Sequence, residues 1–333
     1  MTPADGRVPA VVAVLGPTAS GKSALGLHLA RRFGGEIVAC DSTAVYRGFD
    51  IGTDKVAPAD QQGIPHHLVD VVDAATDYTA ADYARDAMAA IAGIHARGRL
   101  PILVGGTGFY YRALVRGLFP GPGRDQAVRG RLDGLVARYG VARVHRLLAR
   151  IDSTAAARIQ INDAMRVVRA LEVYFVSGRT LTAHFAETTA PLEGWHVIAI
   201  GVRPPWDDIT SRIAQRVDVQ FARGIVDEVR ALRASGVPDT ARPFTGYVYK
   251  RVLEVVRGDR DEASARELIV RENRHYARRQ LIWFRKEPNL VWIQRAGERD
   301  ESIRDAERII GDRLVMNPPC CPAPETPTHV PDA

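Results

Sequence analysis

Cysteine is scarce in this chain, and long apolar runs are missing. The three cysteines, Cys40, Cys320 and Cys321, cannot form a disulfide framework, because two are neighbours and the third stands alone. They also lack the Cys-x-x-Cys and His-x₃-His spacings of a zinc site. No apolar stretch approaches the roughly 18–20 residues that span a bilayer, and the first residues lack the features of a secretory signal. These absences exclude membrane and secreted proteins and predict a reducing, cytoplasmic location with no membrane partner.

Basic residues are in modest excess, and that excess is concentrated in two segments. The chain has 45 basic and 39 acidic residues, a net charge of +6. Residues 124–190 hold eleven arginines against six acids, and residues 266–286 hold seven basic residues against two acids. Two separate basic surfaces favour a large polyanion such as nucleic acid as partner, although solvated helix faces give similar counts.

Short apolar runs alternate with helical spacing in the first third of the chain. The runs at 11–15, 37–40 and 100–104 predict buried strands, and residues 22–33 and 80–97 have the spacing of helices. Strands that alternate with helices predict a parallel sheet with crossover connections. Such sheets bind ligands at the carboxyl ends of their strands. The residues that follow each run are therefore the first candidates for a site.

A helical insertion interrupts this pattern. Breakers at 119–123 precede an Arg- and Ala-rich helical stretch over 125–180, and a strand-like run returns at 197–200. The Pro-rich end of the chain has too little apolar content to fold. We therefore predict a discontinuous core over 8–121 and 195–315, a helical insertion domain over 122–194 and a disordered tail over 316–333.

Residues 16–23 fit the phosphate-loop pattern G-x-x-x-x-G-K-[ST] at every fixed position. Its glycines let backbone N–H groups point at phosphate oxygens, its lysine adds a positive charge, and its serine hydroxyl can ligate Mg²⁺. The loop stands between a buried strand and a helix, as the motif requires. The predicted fold is thus α/β, a P-loop NTPase-like parallel sheet core with a helical insertion domain. The predicted phosphate-binding residues are Gly16, Pro17, Thr18, Ala19, Ser20, Gly21, Lys22 and Ser23.

Two polar residues follow other strands and should lie beside this loop. The carboxylate of Asp41 could hold Mg²⁺ or act as a general base, or it could cap a helix. The hydroxyl of Thr107 could face the same pocket, or it could cap a tight strand-to-helix turn. Composition leaves both pairs of alternatives open.

The second basic segment has helical spacing. The basic members of one face are Arg271, Arg274, Arg278 and Arg285. The apolar members of another face, expected to pack against the core, are Ile269, Tyr276 and Trp283. The basic face is a candidate RNA surface, with an ordinary solvated face as the alternative.

Six segments, in order, resemble the tRNA dimethylallyltransferase family, also called tRNA isopentenyltransferases. They cover roughly residues 10–295 and comprise 16–23, 41–55, 65–70, 103–110, 169–173 and 277–285. The resemblance implies a monomer that uses Mg²⁺. It further implies that the N6 amine of the adenine immediately 3′ of a tRNA anticodon attacks C1 of dimethylallyl diphosphate and that diphosphate leaves.

The resemblance also implies residue roles. Asp41 matches the general base, Thr107 the residue that orients the amine, Arg216 an arginine on the diphosphate side, and Ser23 the metal ligand. The anticodon arm would be bound by core and insertion together. The implied tRNA-binding residues, with two arginines of the basic face added, are Asp41, Ser42, Thr43, Ala44, Thr107, Arg129, Met165, Arg166, Val167, Val168, Arg169, Gly246, Tyr247, Arg274 and Arg278.

This chain departs from the family pattern at several RNA-reading positions. Ala44 replaces a usual glutamine, Met165 stands where a polar residue is common, and residues 243–249 keep Gly-Tyr but lose flanking residues. Three other functions remain as alternatives: a small-molecule kinase that uses the loop on ATP, a non-catalytic RNA-binding protein, and a prenyltransferase of free adenine nucleotides.

Overall fold

The structure, a computed structural model, describes residues 8–316. Its centre is a six-stranded sheet in the order β3-β2-β4-β1-β5-β6, and every strand pair is parallel. The strands are β1 (Ala10–Leu15), β2 (Gly35–Cys40), β3 (His66–His67), β4 (Leu100–Gly105), β5 (His196–Val202) and β6 (Leu290–Ile293).

The helices make up most of the remaining ordered structure. They are α1 (Lys22–Arg32), α2 (Ala80–Ala96), α3 (Gly108–Arg116), α4 (Gln126–Tyr139), α5 (Val141–Ile151), α6 (Ser153–Arg158), α7 (Ala164–Ser177), α8 (Leu181–Ala186), α9 (Trp206–Ala222), α10 (Ile225–Ala234), α11 (Tyr247–Arg257), α12 (Glu262–Phe284) and α13 (Asp300–Met316). Between residues 8 and 316, none of them is both long and apolar enough to cross a membrane.

The register of the sheet brings three chain segments to one edge. Gly105 at the end of β4 pairs with Leu15 of β1 on one side and with Cys40 of β2 on the other. All residues of β1 and β2 are buried, as expected for a parallel sheet that is covered on both faces. Residues 16, 41 and 106 therefore leave the sheet side by side.

The structure confirms the predicted α/β class and its parallel sheet. The apolar runs at 11–15, 37–40, 100–104 and 197–200 all form strands. Sequence analysis missed β3 and β6, because two and four residues are too short to show a period. The predicted tail lies outside the described residues, apart from its first residue, which ends α13.

The described chain divides into two compact units. Residues up to 114 and from 194 onward form the first unit, which contains the sheet, and residues 115–193 form the second. The second unit contains α4–α8 and buries its own apolar core, in which Leu132, Leu148 and Leu171 take part. The role of this unit in RNA binding stays a prediction.

Candidate active site

A cavity of about 450 Å³ opens at the carboxyl edge of the sheet in the first unit. Residues of the predicted phosphate loop and of the predicted segment around Asp41 both border this cavity. From the phosphate loop it is lined by Thr18, Lys22 and Ser23, and from the segment after β2 by residues 41–44. The parallel sheet explains this meeting, since both segments begin where β1 and β2 end, on either side of β4.

The loop between β1 and α1 has the backbone that a phosphate site needs. Gly21, the residue before α1, has φ +84°, and a Cβ there would lie 1.9 Å from Glu298 Oε2. Ala19 also has a positive φ, of 62°. Alternation of left-handed and ordinary residues turns successive N–H groups toward one point, where they bind an anion.

Lys22 gives this loop a titratable charge. Its ammonium group donates to the carbonyl oxygen of Pro17 at 3.2 Å. Burial lowers the pKa of Lys22 to about 8, and the nearby Arg216 guanidinium adds to the effect. A buried ammonium beside another cation is stabilised in its charged form by an anionic ligand.

Arg216 comes to the loop from α9. Its Nη1 donates to Thr18 Oγ1 at 2.8 Å and lies 3.1 Å from Asp54 Oδ2. The family resemblance implies that Arg216 lies on the diphosphate side, and the structure brings it to the phosphate loop. Asp54 lies in the family-like segment 41–55, but nothing in the sequence assigned it a role in the site.

Asp41 caps a turn and also borders the cavity. Its Oδ1 accepts from Thr43 N at 2.8 Å, from Thr43 Oγ1 at 2.6 Å and from Ala44 N at 3.3 Å. These three bonds all use the same carboxyl oxygen of Asp41. Asp41 therefore caps a turn and not a helix, and its role as a general base stays a prediction.

Thr107 lies next to this turn. Its Oγ1 accepts from Ser42 N at 3.0 Å, and its own N–H donates to Cys40 O at 3.1 Å. The hydroxyl therefore fixes the segment that carries Asp41. Thr107 lies two residues after Gly105, which lines the cavity.

Helix α12 supplies cavity residues that were not predicted from the sequence, among them Tyr276 and Gln280. Gln280 Oε1 accepts from Thr18 N at 2.8 Å, and its Nε2 donates to Gly106 O at 2.8 Å. Tyr276, one turn earlier, hydrogen-bonds Thr107; burial raises the pKa of Tyr276, as does the charge of Asp41. Their four-residue spacing puts both side chains on one helix face, which is the signal that could have found them.

The arginine face of α12 lies on the side of the helix opposite to Tyr276 and Gln280. Arg278 lies two residues from both Tyr276 and Gln280, which in a helix is the opposite side. It stacks over the Trp206 ring at 4.9 Å. The predicted basic residues Arg271, Arg274, Arg278 and Arg285 are all exposed.

The prediction for the apolar face of α12 was wrong in part. Ile269 is fully buried, but Tyr276 lines the cavity. Trp283 is half-buried and lies under the Arg112 guanidinium at 4.3 Å. A seven-residue repeat shows that residues share a face, but it does not show what that face meets.

Of the predicted RNA-binding residues in the first unit, Ser42, Thr43, Ala44, Gly246 and Tyr247 line the cavity. Tyr247 packs against Tyr276 with ring centroids 5.9 Å apart, and Arg279 lies 5.4 Å from its ring centre. The cavity thus has an aromatic side formed by α11 and α12.

The predicted RNA-binding residues in the second unit have mixed environments. Met165 and Arg166 are exposed, and Arg166 pairs with Asp163. Val167 and Val168 are buried in the core of this unit. Their side chains are therefore not available to RNA, and any contact there would use the backbone.

Arg129 and Arg169 both pair with the buried Glu172, at 3.1 and 2.9 Å. Burial alone would raise the pKa of Glu172, but hydrogen bonds from Arg169 and Arg129 hold it below its usual value. These arginines neutralise a carboxylate in the interior of the second unit, and removing them would leave that charge buried and uncompensated.

The sheet, the loop and the cavity define a protein of the P-loop NTPase-like α/β class. Comparison with known proteins narrows this class. The family model of IPP transferase matches residues 44–287. The chain belongs to the IPP transferase family, whose curated members are tRNA dimethylallyltransferases.

Two relatives show how far the similarity extends. The tRNA dimethylallyltransferase of Solibacter usitatus is 47% identical over 291 residues, which cover 87% of this chain and 94% of the relative. That of Geobacter sulfurreducens is 42% identical over 301 residues, which cover 90% and 97%.

Two solved structures are similar to this chain. The tRNA isopentenylpyrophosphate transferase of Bacillus halodurans matches with a TM-score of 0.69 at 35% identity, over 92% of this chain and 97% of that one. A eukaryotic dimethylallyltransferase acting on tRNA has a TM-score of 0.75 over 96% and 82%, at 23% identity, and so supports the fold alone.

Proposed function

We propose that this protein transfers a dimethylallyl group from dimethylallyl diphosphate to N6 of the adenine immediately 3′ of a tRNA anticodon. The product is N6-isopentenyladenosine, and diphosphate is released. The observation that carries the proposal is one cavity in which the phosphate loop meets Asp41, in a chain of the IPP transferase family. We further propose that the chain acts in the cytoplasm as a monomer.

The donor side of the reaction is built on the loop. Lys22, Arg216 and the loop N–H groups would hold the diphosphate and neutralise the charge that develops as the bond between C1 and oxygen breaks. The electron pair of that bond leaves with the diphosphate. A guanidinium suits this role because its planar donors bind two phosphate oxygens at once.

A Mg²⁺ ion fits the donor set at this loop. Ser23 offers a hydroxyl at the cavity wall, and the described residues hold no cluster of three or more acidic, His or Cys ligands. Mg²⁺ commonly takes one or two protein ligands and fills its shell with phosphate oxygens and water. When bound, the ion would add charge neutralisation on the diphosphate.

The acceptor side is built on Asp41. The N6 amine of adenine is a poor nucleophile, so removal of its proton as it attacks C1 lowers the barrier. Asp41 Oδ2 would take this proton. Thr107 and Ser42 hold the turn that carries Asp41 and so fix the base relative to the loop.

The target base must leave its stack to reach a cavity of this kind. Tyr247 and Tyr276 provide aromatic rings at the cavity, and bases that leave a loop commonly stack on such rings. The cavity therefore has a surface for an unstacked adenine beside the group that would deprotonate it.

Mass spectrometry of nucleosides tests the proposal. Unmodified tRNA is incubated with the protein, Mg²⁺ and dimethylallyl diphosphate, and then digested. A new adenosine that is heavier by one five-carbon prenyl group is expected. ATP turnover without this product would favour the kinase alternative. Prenylation of free adenine nucleotides but not of tRNA would favour the nucleotide alternative.

A further inference from the structure

A carboxylate that the proposed reaction does not use lies inside the phosphate site. Asp54 Oδ2 lies 3.1 Å from Arg216 Nη1 and accepts from Gln220 Nε2 at 3.1 Å. The same Nη1 of Arg216 donates to Thr18 Oγ1. Asp54, Arg216, Lys22 and Thr18 all line the cavity. An acidic group thus stands where an acidic ligand would bind.

The fold holds Asp54 in this place. The turn before it is fixed by Ile51 N, which donates to Glu228 Oε2 at 2.8 Å, and by Gly52 N, which donates to Tyr249 Oη at 3.0 Å. Asp54 itself has φ +50°, a conformation that Asp tolerates better than most residues. The carboxylate is therefore part of a fixed turn.

Cations and carboxylates lie close together at this site. Lys22 and Arg216 are two of its cations, and Arg223 also acts on Asp54. Asp41 and Asp54 are carboxylates that act on Lys22. Burial raises the pKa of Asp54, against the effect of Arg216, so a charged Asp54 depends on its cation. A diphosphate on the loop would add further negative charge and would compete for the same guanidinium.

We infer that Asp54 is an internal counter-ion that occupies Arg216 in the ligand-free protein and gives it up to diphosphate, and that its charge weakens the retention of diphosphate as a product. The inference rests on the proposed function for the identity of the ligand. Electrostatic repulsion between Asp54 and the bound anion then favours product release.

The Asp54→Asn variant removes this charge with little change in shape. Asn tolerates a positive φ, and its amide oxygen can still accept from Gln220. Calorimetric titration of the full chain with inorganic diphosphate and Mg²⁺ should show a Kd lower by roughly tenfold, the effect of one like charge at several ångströms after screening. The inhibition constant of diphosphate in the transfer reaction should fall in parallel.

Asp218→Asn is the matched control. Asp218 is on the same helix as Arg216, but it is exposed and pairs with Arg266. The Asp218→Asn variant makes the same change in charge as Asp54→Asn. Its Kd for diphosphate should stay within about twofold of the wild-type value because an exposed charge is largely screened.

An unchanged or higher Kd for diphosphate in Asp54→Asn would overturn the inference. A higher Kd would show that Asp54 only positions Arg216. If that variant does not fold, Asp54→Gly gives the same test at a position with positive φ. The titration needs no prenyl transfer. An inactive wild-type protein would therefore contradict the proposed function, while tighter binding by the variant would still support this inference.

Discussion

Asp41 caps a turn and, in the proposed reaction, acts as the general base, and one substitution separates these two roles. Asp41→Asn keeps an oxygen that accepts from Thr43 and Ala44, so the turn should persist, but the variant cannot take a proton. We expect the single-turnover transfer rate to fall about 10²–10⁴-fold, the usual contribution of general base catalysis, with the Kd for tRNA within about twofold. Asp73→Asn, which removes the partner of Arg47 in an exposed ion pair, should leave both values unchanged. Turnover at the wild-type rate in Asp41→Asn would remove this residue from the mechanism.

From the lowered pKa of Lys22 we predict that diphosphate binding depends on pH. Because burial lowers the pKa of Lys22 to about 8, its charge is largely present at pH 7 and is lost as pH rises through that value. The Kd for inorganic diphosphate should therefore rise above pH 8. Lys22→Arg keeps its charge throughout this range. Calorimetry from pH 6.5 to 9.5 measures the Kd for diphosphate of both proteins. The ratio of the two Kd values removes the effect of the ionisation of diphosphate, which is common to both. A ratio that does not change with pH would contradict the prediction.

Helix α12 links two halves of the site at the element scale, through Gln280. The Gln280→Met variant keeps the volume but leaves Thr18 N and Gly106 O without their partner. Since a misplaced catalytic group costs rate more than binding, we expect kcat to fall by about tenfold or more, with the Kd for tRNA unchanged. Ile269→Val on the same helix trims a buried residue away from the cavity and should keep kcat. Equal losses of kcat in both variants would show that only the packing of α12 matters.

The distribution of charge is a property of the whole molecule. If tRNA contacts the arginine face of α12, replacing Arg274 and Arg278 by Ala should reduce the slope of log Kd against log salt by about one unit per lost phosphate contact. Filter binding between 50 and 300 mM KCl measures this slope. Arg230→Ala is the control, as an exposed arginine on α10 that pairs with Asp227. An unchanged slope in the Arg274 and Arg278 variant would show that this face is only solvated.

Patterns among neighbouring residues were enough to predict several features of this protein. The loop at 16–23 combines a motif with a flanking strand and helix, and the alternation of apolar runs with helices is enough to predict a parallel sheet. The parallel topology then places Asp41 near the loop, because the strands that precede them lie on either side of β4 and end at the same edge of the sheet. Both the fold class and the core of the site follow from such local patterns.

Tertiary structure alone decided which distant residues meet. Gln280 binds Thr18 across 262 residues of chain, and Arg216 pairs with Asp54, although none of these contacts leaves a local pattern. It also decided that Val167 and Val168 face a core and that Tyr276 faces a cavity. A helical period gives the angle between two side chains around the helix axis. What each side chain meets depends on how the rest of the chain packs against that helix.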